Sequence, residues 1–386
     1  TDLWGSGEVT TRSTRTLNRY NKMSRVLHII NNEDFTVDNL GYLLSAEGEE
    51  RRRIYEKAAE IKEQYVGNKV YFRGLLEFSN ICAKNCFYCG IRRGNGTMER
   101  YYMSREEVVQ AAEFAWREGY GSVVIQSGER TDKWFTDQIT GLLQEIEKAT
   151  NNELGITLSM GEQSEDTFLR WKNAGADRYL LRIEASSKEL YHKLHPNDKL
   201  HSYDKRLNAL RLLQKLDYQT GTGVMIGLPF QTLQDLANDL LFFKNLDIDM
   251  AGMGPYIEHE QTPLYQYREQ LMPKKMRFEL SLRMVALLRI MMKDVNIAAT
   301  TAMQTLDEMG REKALKVGAN VIMPNLTPVK YREGYLLYED KPCIDEEAEE
   351  CKSCLEARIH LAGGEIAYNQ QGNPKHYYKR TGKSGS

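Results

Sequence analysis

The run Val70-Tyr71-Phe72-Arg73-Gly74-Leu75-Leu76-Glu77-Phe78-Ser79-Asn80-Ile81-Cys82-Ala83-Lys84-Asn85-Cys86-Phe87-Tyr88-Cys89-Gly90 decides the fold. Its first half, Val70 to Phe78, is apolar, aromatic and β-branched enough to read as a buried strand, and three cysteines follow at once. Similar β-rich runs recur at Ser122 to Ser127, Ile156 to Met160, Arg178 to Glu184, Thr220 to Ile226, Met250 to Ile257, Asn296 to Ala302 and Asn320 to Pro324. Helical patterns separate them, with start signals such as Ser104-Arg105-Glu106-Glu107, where Ser and Glu side chains can satisfy free backbone N–H groups as a capping box. Eight such units over about 255 residues predict an α/β fold, parallel strands with right-handed crossovers closed into a (β/α)8 TIM-type barrel. A doubly wound open sheet is the alternative. Leu17 to Tyr65 reads as two or three charged amphipathic helices, and Tyr331 to Tyr378 as an irregular tail with one helix around Cys351 to Leu361. The expected organisation is a helical extension over residues 1–69, a barrel over 70–330 and a tail over 331–386.

The composition narrows the partners. The chain has 52 Lys and Arg against 54 Asp and Glu, a formal charge of −2, without the basic excess that marks phosphate-backbone binding. Nucleic acid is therefore not an expected partner. No run approaches the roughly 20 apolar residues of a membrane helix, and Thr1 to Arg15 is polar. A soluble, cytoplasmic protein without membrane contact is expected.

Six cysteines in 386 residues are too few for a disulfide scaffold, and they cluster, three within Cys82 to Cys89 and three within Cys343 to Cys354. The first cluster sits at the carboxyl end of the first strand, where barrel active sites are built. Three thiolates on one loop can hold three irons of a cubane and leave the fourth open to an exogenous ligand. A structural zinc loop is the bland alternative, weakened by the lack of a nearby fourth ligand.

The spacing Cys82-x3-Cys86-x2-Cys89, with Tyr88 before the last cysteine, resembles the radical S-adenosylmethionine (SAM) superfamily. The resemblance implies a [4Fe-4S] cluster on Cys82, Cys86 and Cys89, SAM chelating the open iron, and reductive cleavage of SAM to methionine and a 5′-deoxyadenosyl radical. Gln126-Ser127-Gly128-Glu129 resembles the segment that receives the methionine ammonium of SAM, with glycine for close approach and Glu129 as acceptor. Glu162 ends the third strand, and Arg182 and Glu184, two residues apart, share one face of the fourth. With Tyr88 and Ser127 they complete the expected SAM site; a buried ion pair is the structural alternative for Arg182 and Glu184. Gly223-Val224-Met225-Ile226-Gly227-Leu228-Pro229 resembles the adenine-facing stretch and equally suits a buried strand and turn.

Longer stretches resemble the HydE family of [FeFe]-hydrogenase maturases, from about Phe35 to Leu361. They include Glu77-Phe78-Ser79-Asn80, Gly175-Ala176-Asp177-Arg178-Tyr179-Leu180-Leu181-Arg182, Ala299-Thr300-Thr301-Ala302-Met303 and Asn320-Val321-Ile322-Met323-Pro324-Asn325. Methylornithine synthase and biotin synthase share the barrel and cluster without that combination, and a HydE-like enzyme with another amino-acid-derived substrate is the alternative reading. The resemblance implies a small cysteine-bound Fe(CO)2CN precursor as substrate, an electron donor, and other hydrogenase maturases as partners. It implies Arg178, Thr300 and Thr301 at the substrate carboxylate, with Met323 and Tyr335 in the cavity wall. A guanidinium grips a carboxylate bidentately and hydroxyls add donors without charge. Adjacent strand residues face opposite sides, so Thr300 and Thr301 can act together only where the strand ends or bulges. One departure stands out: Arg182-Ile183-Glu184-Ala185 replaces the family's Arg-His-Glu-Thr.

Cys343, Cys351 and Cys354 match the auxiliary [2Fe-2S] site of some HydE proteins, and three free thiols on a charged tail are the alternative. His192, His195, His201 and His259 lie in polar contexts without metal spacing.

Overall fold

The computed structural model describes residues 25–345 and 348–384, without the side chains of 349–351. Eight parallel strands form a ring: β1 (Lys69–Ser79), β2 (Ser122–Ser127), β3 (Gly155–Ser159), β4 (Ala176–Leu180), β5 (Gln219–Thr222), β7 (Met250–Ala251), β9 (Asn296–Ile297) and β10 (Val321–Ile322). β10 pairs with β1 through Tyr71↔Val321 and Phe72↔Ile322. The last gap closes through the parallel bridge Ala298↔Val321 and the Asn320 N–H bond to Ile297 O at 2.9 Å. The closed (β/α)8 barrel removes sheet edges altogether, and the open-sheet alternative falls.

Strand lengths differ from the sequence expectation for local reasons. The fourth run ends as a strand at Leu180, and the chain continues irregularly to Glu184, which adopts φ 67° and makes an isolated parallel bridge to Val224. The fifth and sixth runs break into β5 plus β6 (Met225–Ile226) and β7 plus β8 (Gly254–Pro255), with β6 and β8 pairing as a separate parallel rung beyond the ring. A Cβ on Gly223, at the break, would stand 1.9 Å from the Gly252 carbonyl oxygen, so the two glycines set how closely these strands approach. The seventh run stops at Ile297, and Thr301 already starts the helix Thr301–Leu306.

The helices pack outside the ring with the expected start chemistry. Ser104 and Glu107 form the reciprocal capping box on Arg105–Arg117. The amino-terminal helices Val37–Leu44 and Gly48–Tyr65 bury Leu40, Leu43, Leu44, Ile54 and Ala58 in the same apolar core as the barrel. Residues 17–24 of the expected helical stretch lie outside the described part.

The tail is more ordered than its sequence suggested. Beyond the helix Ala348–Leu361 it adds β11 (Glu365–Ile366), which pairs with the first residues of β1, and the helix Lys375–Thr381. Between them residues 371–373 cross the amino-terminal end of the barrel. There the Gly372 carbonyl accepts from Arg73 Nη2 at 3.1 Å and Asn296 Nδ2 at 2.7 Å. Both barrel ends are therefore built: one by the tail, the other by the loops that carry the cysteines. Among the described residues, no helix is long and apolar enough to cross a membrane.

Candidate active site

The cysteine loop leaves β1 at Ser79 and is pressed against the end of β2. Gly128 N–H bonds to Ser79 O at 2.8 Å, and Ala83 N–H to Glu129 O at 2.8 Å. A Cβ on Gly128 would meet the Ile81 carbonyl oxygen at 2.4 Å, so glycine is required for this contact. The Glu129 N–H points at Cys82 Sγ, 3.3 Å away, a donor that favours the thiolate. Cys86 is buried, and burial followed by the neighbouring Cys82 pushes its thiol up to about 12. Burial and the other two thiols hold Cys89 well above its ordinary value. Burial raises Cys82 as well, and Cys82 raises both other thiols.

The loop is braced from outside by two histidines. His201 Nε2 accepts from Asn85 N–H at 2.8 Å while Nδ1 faces Asp198 Oδ1 at 2.7 Å, which places the ring proton on Nδ1. His195 is buried against Tyr191, with Nδ1 2.8 Å from the Tyr191 carbonyl and Nε2 3.3 Å from the Tyr88 hydroxyl. Burial pushes His195 down to about 3, so it stays neutral and accepts the tyrosine proton bond.

A buried four-charge cluster stands beside the loop. Lys84 Nζ lies 3.0 Å from Glu129 Oε1 and 3.2 Å from Glu162 Oε1; Arg206 reaches the same two carboxylates at 3.3 Å and 2.8 Å. Burial raises the Glu129 pKa, with Arg206 and Lys84 opposing it, whereas Arg206 is held well above its ordinary value because the two glutamates outweigh its burial. Next to it Arg182 Nη2 stands 3.1 Å from Glu184 Oε2 and donates to Val224 O at 3.0 Å. Glu184 reaches that position on a left-handed backbone, held by the parallel bridge to Val224. Ser127 donates to the Gly128 carbonyl at 2.8 Å. Tyr88, Ser127, Glu129, Glu162, Arg182 and Glu184 thus come together around the cysteines. Lys84 and Arg206 had no signal beyond Lys84's place between two cysteines, and His201 none beyond its polar context.

The expected substrate residues divide. Thr300 caps and Thr301 opens a helix at the carboxyl end of β9, so both escape strand alternation; Arg311 Nη2 donates to Thr301 Oγ1 at 3.1 Å. Tyr335 is buried, and burial, then Glu77, Tyr101 and the cysteines raise its hydroxyl well above the ordinary value. Met323 lines a cavity of about 40 Å³ inside the barrel with Leu180, Met250, Ala298 and Arg73. Arg178 stands apart from the threonines. It is fully buried at the tail end of the barrel, where Nη2 donates to Gln371 O at 3.0 Å and to Asn373 Oδ1, and Nε to Gln219 Oε1 at 3.0 Å. Nε and Nη2 are taken up by protein groups, while Nη1 is buried without a hydrogen-bond partner.

The departure at 183 and 185 is one of packing. Ile183 and Ala185 are fully buried, Ile183 in the main core and Ala185 in a smaller cluster with Leu190, Leu194, Leu228 and Leu264 that touches Phe87 and Tyr88. Cys343 is half-buried at φ 62° and Cys354 is exposed near Arg358. The Cys351 side chain lies outside the described part.

The donor set suits an iron–sulfur cluster. Three thiols of one loop supply soft ligands for three separate irons. Among the described residues, no three His, Cys, Asp or Glu side chains are arranged to hold one metal ion.

The family profile of the Radical SAM superfamily matches residues 76–243. The chain is 46% identical over 310 residues to the [FeFe] hydrogenase maturase subunit HydE of Thermotoga maritima, covering 80% of this chain and 85% of that protein. It is 27% identical over 342 residues to 3-methylornithine synthase of Methanosarcina acetivorans, covering 88% and 92% respectively. The crystal structure of a methylornithine synthase superposes with a TM-score of 0.76 at 25% identity, over 89% of this chain and 98% of that one. Cysteine loop, charge cluster and barrel thus coincide with the similarity, and the chain belongs to the HydE family of [FeFe]-hydrogenase maturases within the radical SAM enzymes.

Proposed function

We propose that this radical SAM enzyme acts on a small cysteine-bound Fe(CO)2CN precursor during assembly of the [FeFe]-hydrogenase H-cluster, drawing its electron from a separate donor and working alongside other maturases. The observation that carries the reading is the convergence of Cys82, Cys86 and Cys89 with the buried Glu129–Lys84–Glu162–Arg206 cluster at the carboxyl end of the barrel. When bound, the [4Fe-4S] cluster and SAM supply an electron and a 5′-deoxyadenosyl radical. The protein's own residues do the rest. Cys82, Cys86 and Cys89 hold the irons. Glu129 accepts the methionine ammonium of SAM; Glu162, Arg182 and Glu184, with Tyr88 and Ser127, complete that pocket. Thr300, Thr301, Met323 and Tyr335 face the substrate from the opposite wall. The closed barrel and the tail keep bulk water from this chamber, which a reactive radical requires.

An auxiliary [2Fe-2S] cluster on Cys343, Cys351 and Cys354 belongs to the same proposal, with a fourth ligand from outside the trio. The central test is anaerobic reconstitution followed by reduction with SAM. Wild type should form 5′-deoxyadenosine, and Cys82→Ser, Cys86→Ser and Cys89→Ser should each abolish it. Near-normal formation by Cys86→Ser would remove the assignment.

A further inference from the structure

Within Cys82 to Gly90 only Ala83 is exposed; Cys82 and Asn85 are half-buried, and Lys84, Cys86 and Gly90 are buried. The loop therefore meets solvent beside its first cysteine. Two surface segments are bonded to it there. Arg93 N–H donates to Lys84 O at 2.8 Å. The Lys84 side chain donates to the Leu200 carbonyl, and Asn85 N–H to His201 Nε2 at 2.8 Å. These contacts set Arg92 and Arg93 on one side of Ala83 and Asn85, and Lys199 and Leu200 on the other.

The charges on this rim do not cancel. Arg93 and Lys199 are exposed, and neither has an ion-pair partner among the described residues. Arg92 is tied to neutral acceptors, Asn85 Oδ1 at 2.7 Å and Gln261 O at 3.3 Å. The acids of the second segment are engaged: Glu189 with Lys193, Asp204 with Lys188, and Asp198 with His201 Nδ1. The whole chain carries −2, so the basic excess is local. Beside these cations Leu200 is 44% exposed, which gives the rim an apolar point. An apolar centre inside a charged rim is the anatomy of a small protein interface. Nucleic acid would need a longer basic track than three side chains make.

We propose that Ala83, Arg92, Arg93, Lys199 and Leu200 form the docking face for a small acidic one-electron carrier protein, and that the electron enters on the Cys82–Ala83 side of the loop. One electron leaves the carrier, which is oxidised, and enters the cluster held by Cys82, Cys86 and Cys89, which is reduced; no proton or bond moves with it. The inference rests on the proposed function, which requires a separate donor, and names the face that receives that donor and the charge it carries. Electron-transfer encounters are small and brief, and complementary charge sets their rate more than their strength, which suits a patch of this size.

The test uses the full chain, anaerobically reconstituted, with a flavodoxin as the acidic carrier and dithionite as a reductant that needs no docking. Oxidised flavodoxin, which transfers nothing, should protect residues 91–93 and 197–201 from hydrogen exchange. In stopped flow, the double variant Arg93→Glu, Lys199→Glu should lower the second-order rate of cluster reduction by reduced flavodoxin roughly 10- to 100-fold at low salt. The wild-type rate should fall as salt rises, and the variant's should hardly change. Lys316→Glu, an equal charge reversal on the outer helix Gly310–Val317, should keep the wild-type rate. With dithionite, both variants should form 5′-deoxyadenosine as wild type does. Protection elsewhere, no reduction of wild type by flavodoxin, a wild-type rate in the double variant, or equal slowing in Lys316→Glu would each overturn the inference. So would equal loss with dithionite, which would make Arg93 and Lys199 structural. Protection of the same residues that grows with enzyme concentration alone would give the face to a second copy of the chain and overturn it too. Failure of wild type to form 5′-deoxyadenosine with dithionite would instead strike the proposed function.

Discussion

Lys84 Nζ lies 3.0 Å from Glu129 Oε1, so a residue between the first two cysteines is tied electrostatically to the end of the second strand. Both side chains are buried, and Lys84 also reaches Glu162 and the Leu200 carbonyl. The cysteine loop is therefore held by charge as well as by backbone hydrogen bonds. Two carboxylates and two cations balance, which is what allows them to be buried together.

Lys84→Met should unbalance that set. Removing one partner of a buried ion pair leaves an uncompensated charge, and here Arg206 remains against two carboxylates. Urea unfolding of the apoprotein at pH 7 should show a loss of about 2–4 kcal/mol. Glu129 already has a raised pKa in the folded state, so protonation favours folding and the deficit should shrink toward pH 5. A Lys84→Met protein as stable as wild type at pH 7 would show that the contact contributes nothing.

Arg178→Met should loosen the tail and spare the mouth. The Gln371 carbonyl and Gln219 Oε1 lose their donor, and Asn373 Oδ1 keeps only Gln219 Nε2, a local cost of about 1–3 kcal/mol. Hydrogen exchange over residues 365–381 should accelerate accordingly, while SAM binding stays unchanged. Undisturbed protection of that segment would show that Arg178 does not hold the tail.

The closing helix of the tail should be sensitive to alkali. His376 stands 2.9 Å from Asp294 Oδ1 and 2.8 Å from Asp247 Oδ1. Burial opposes its charge, but the two carboxylates outweigh burial and raise its pKa above the ordinary value. A histidine raised on folding contributes stability that is fully present below its unfolded pKa of about 6.5 and disappears as pH rises through the folded value. Exchange protection of Lys375–Thr381 should therefore fall from pH 6 to pH 9, and His376→Gln should flatten the profile. A wild-type profile already flat across that range would show that the His376 pairs with Asp294 and Asp247 do not hold the helix.

The triple variant Cys343→Ser, Cys351→Ser, Cys354→Ser should lose iron yet still form 5′-deoxyadenosine, because these residues belong to the tail helix and its approach and not to the cysteine loop after β1. Iron content equal to wild type would favour free thiols. Loss of cleavage would mean that the second trio supports the first.

The barrel and the cysteine loop were legible in the chain itself, because both are local signals. A buried parallel strand is a short apolar run, and three thiols in eight residues stay together whatever surrounds them. Glu129, Glu162, Arg182 and Glu184 were legible for a related reason: each lies at or just past the end of a strand run, and the ends of barrel strands all point to one face. Strand limits were not, since the fourth strand stops four residues before the left-handed Glu184 and Gly223 meets Gly252 only when two distant runs lie side by side.

What tertiary structure alone decided is which charges meet. Lys84 and Arg206 are 122 residues apart, and nothing in the periodicity of either segment selects Glu129 and Glu162 as their shared partners. Arg178 shows the same limit: by residue type it suits a carboxylate, but in the fold its Nε meets Gln219 and its Nη2 meets the tail, with Nη1 left buried and unpartnered. A side chain's type sets what it can bind, and a buried charge takes its role from the groups that folding brings within about 3 Å of it.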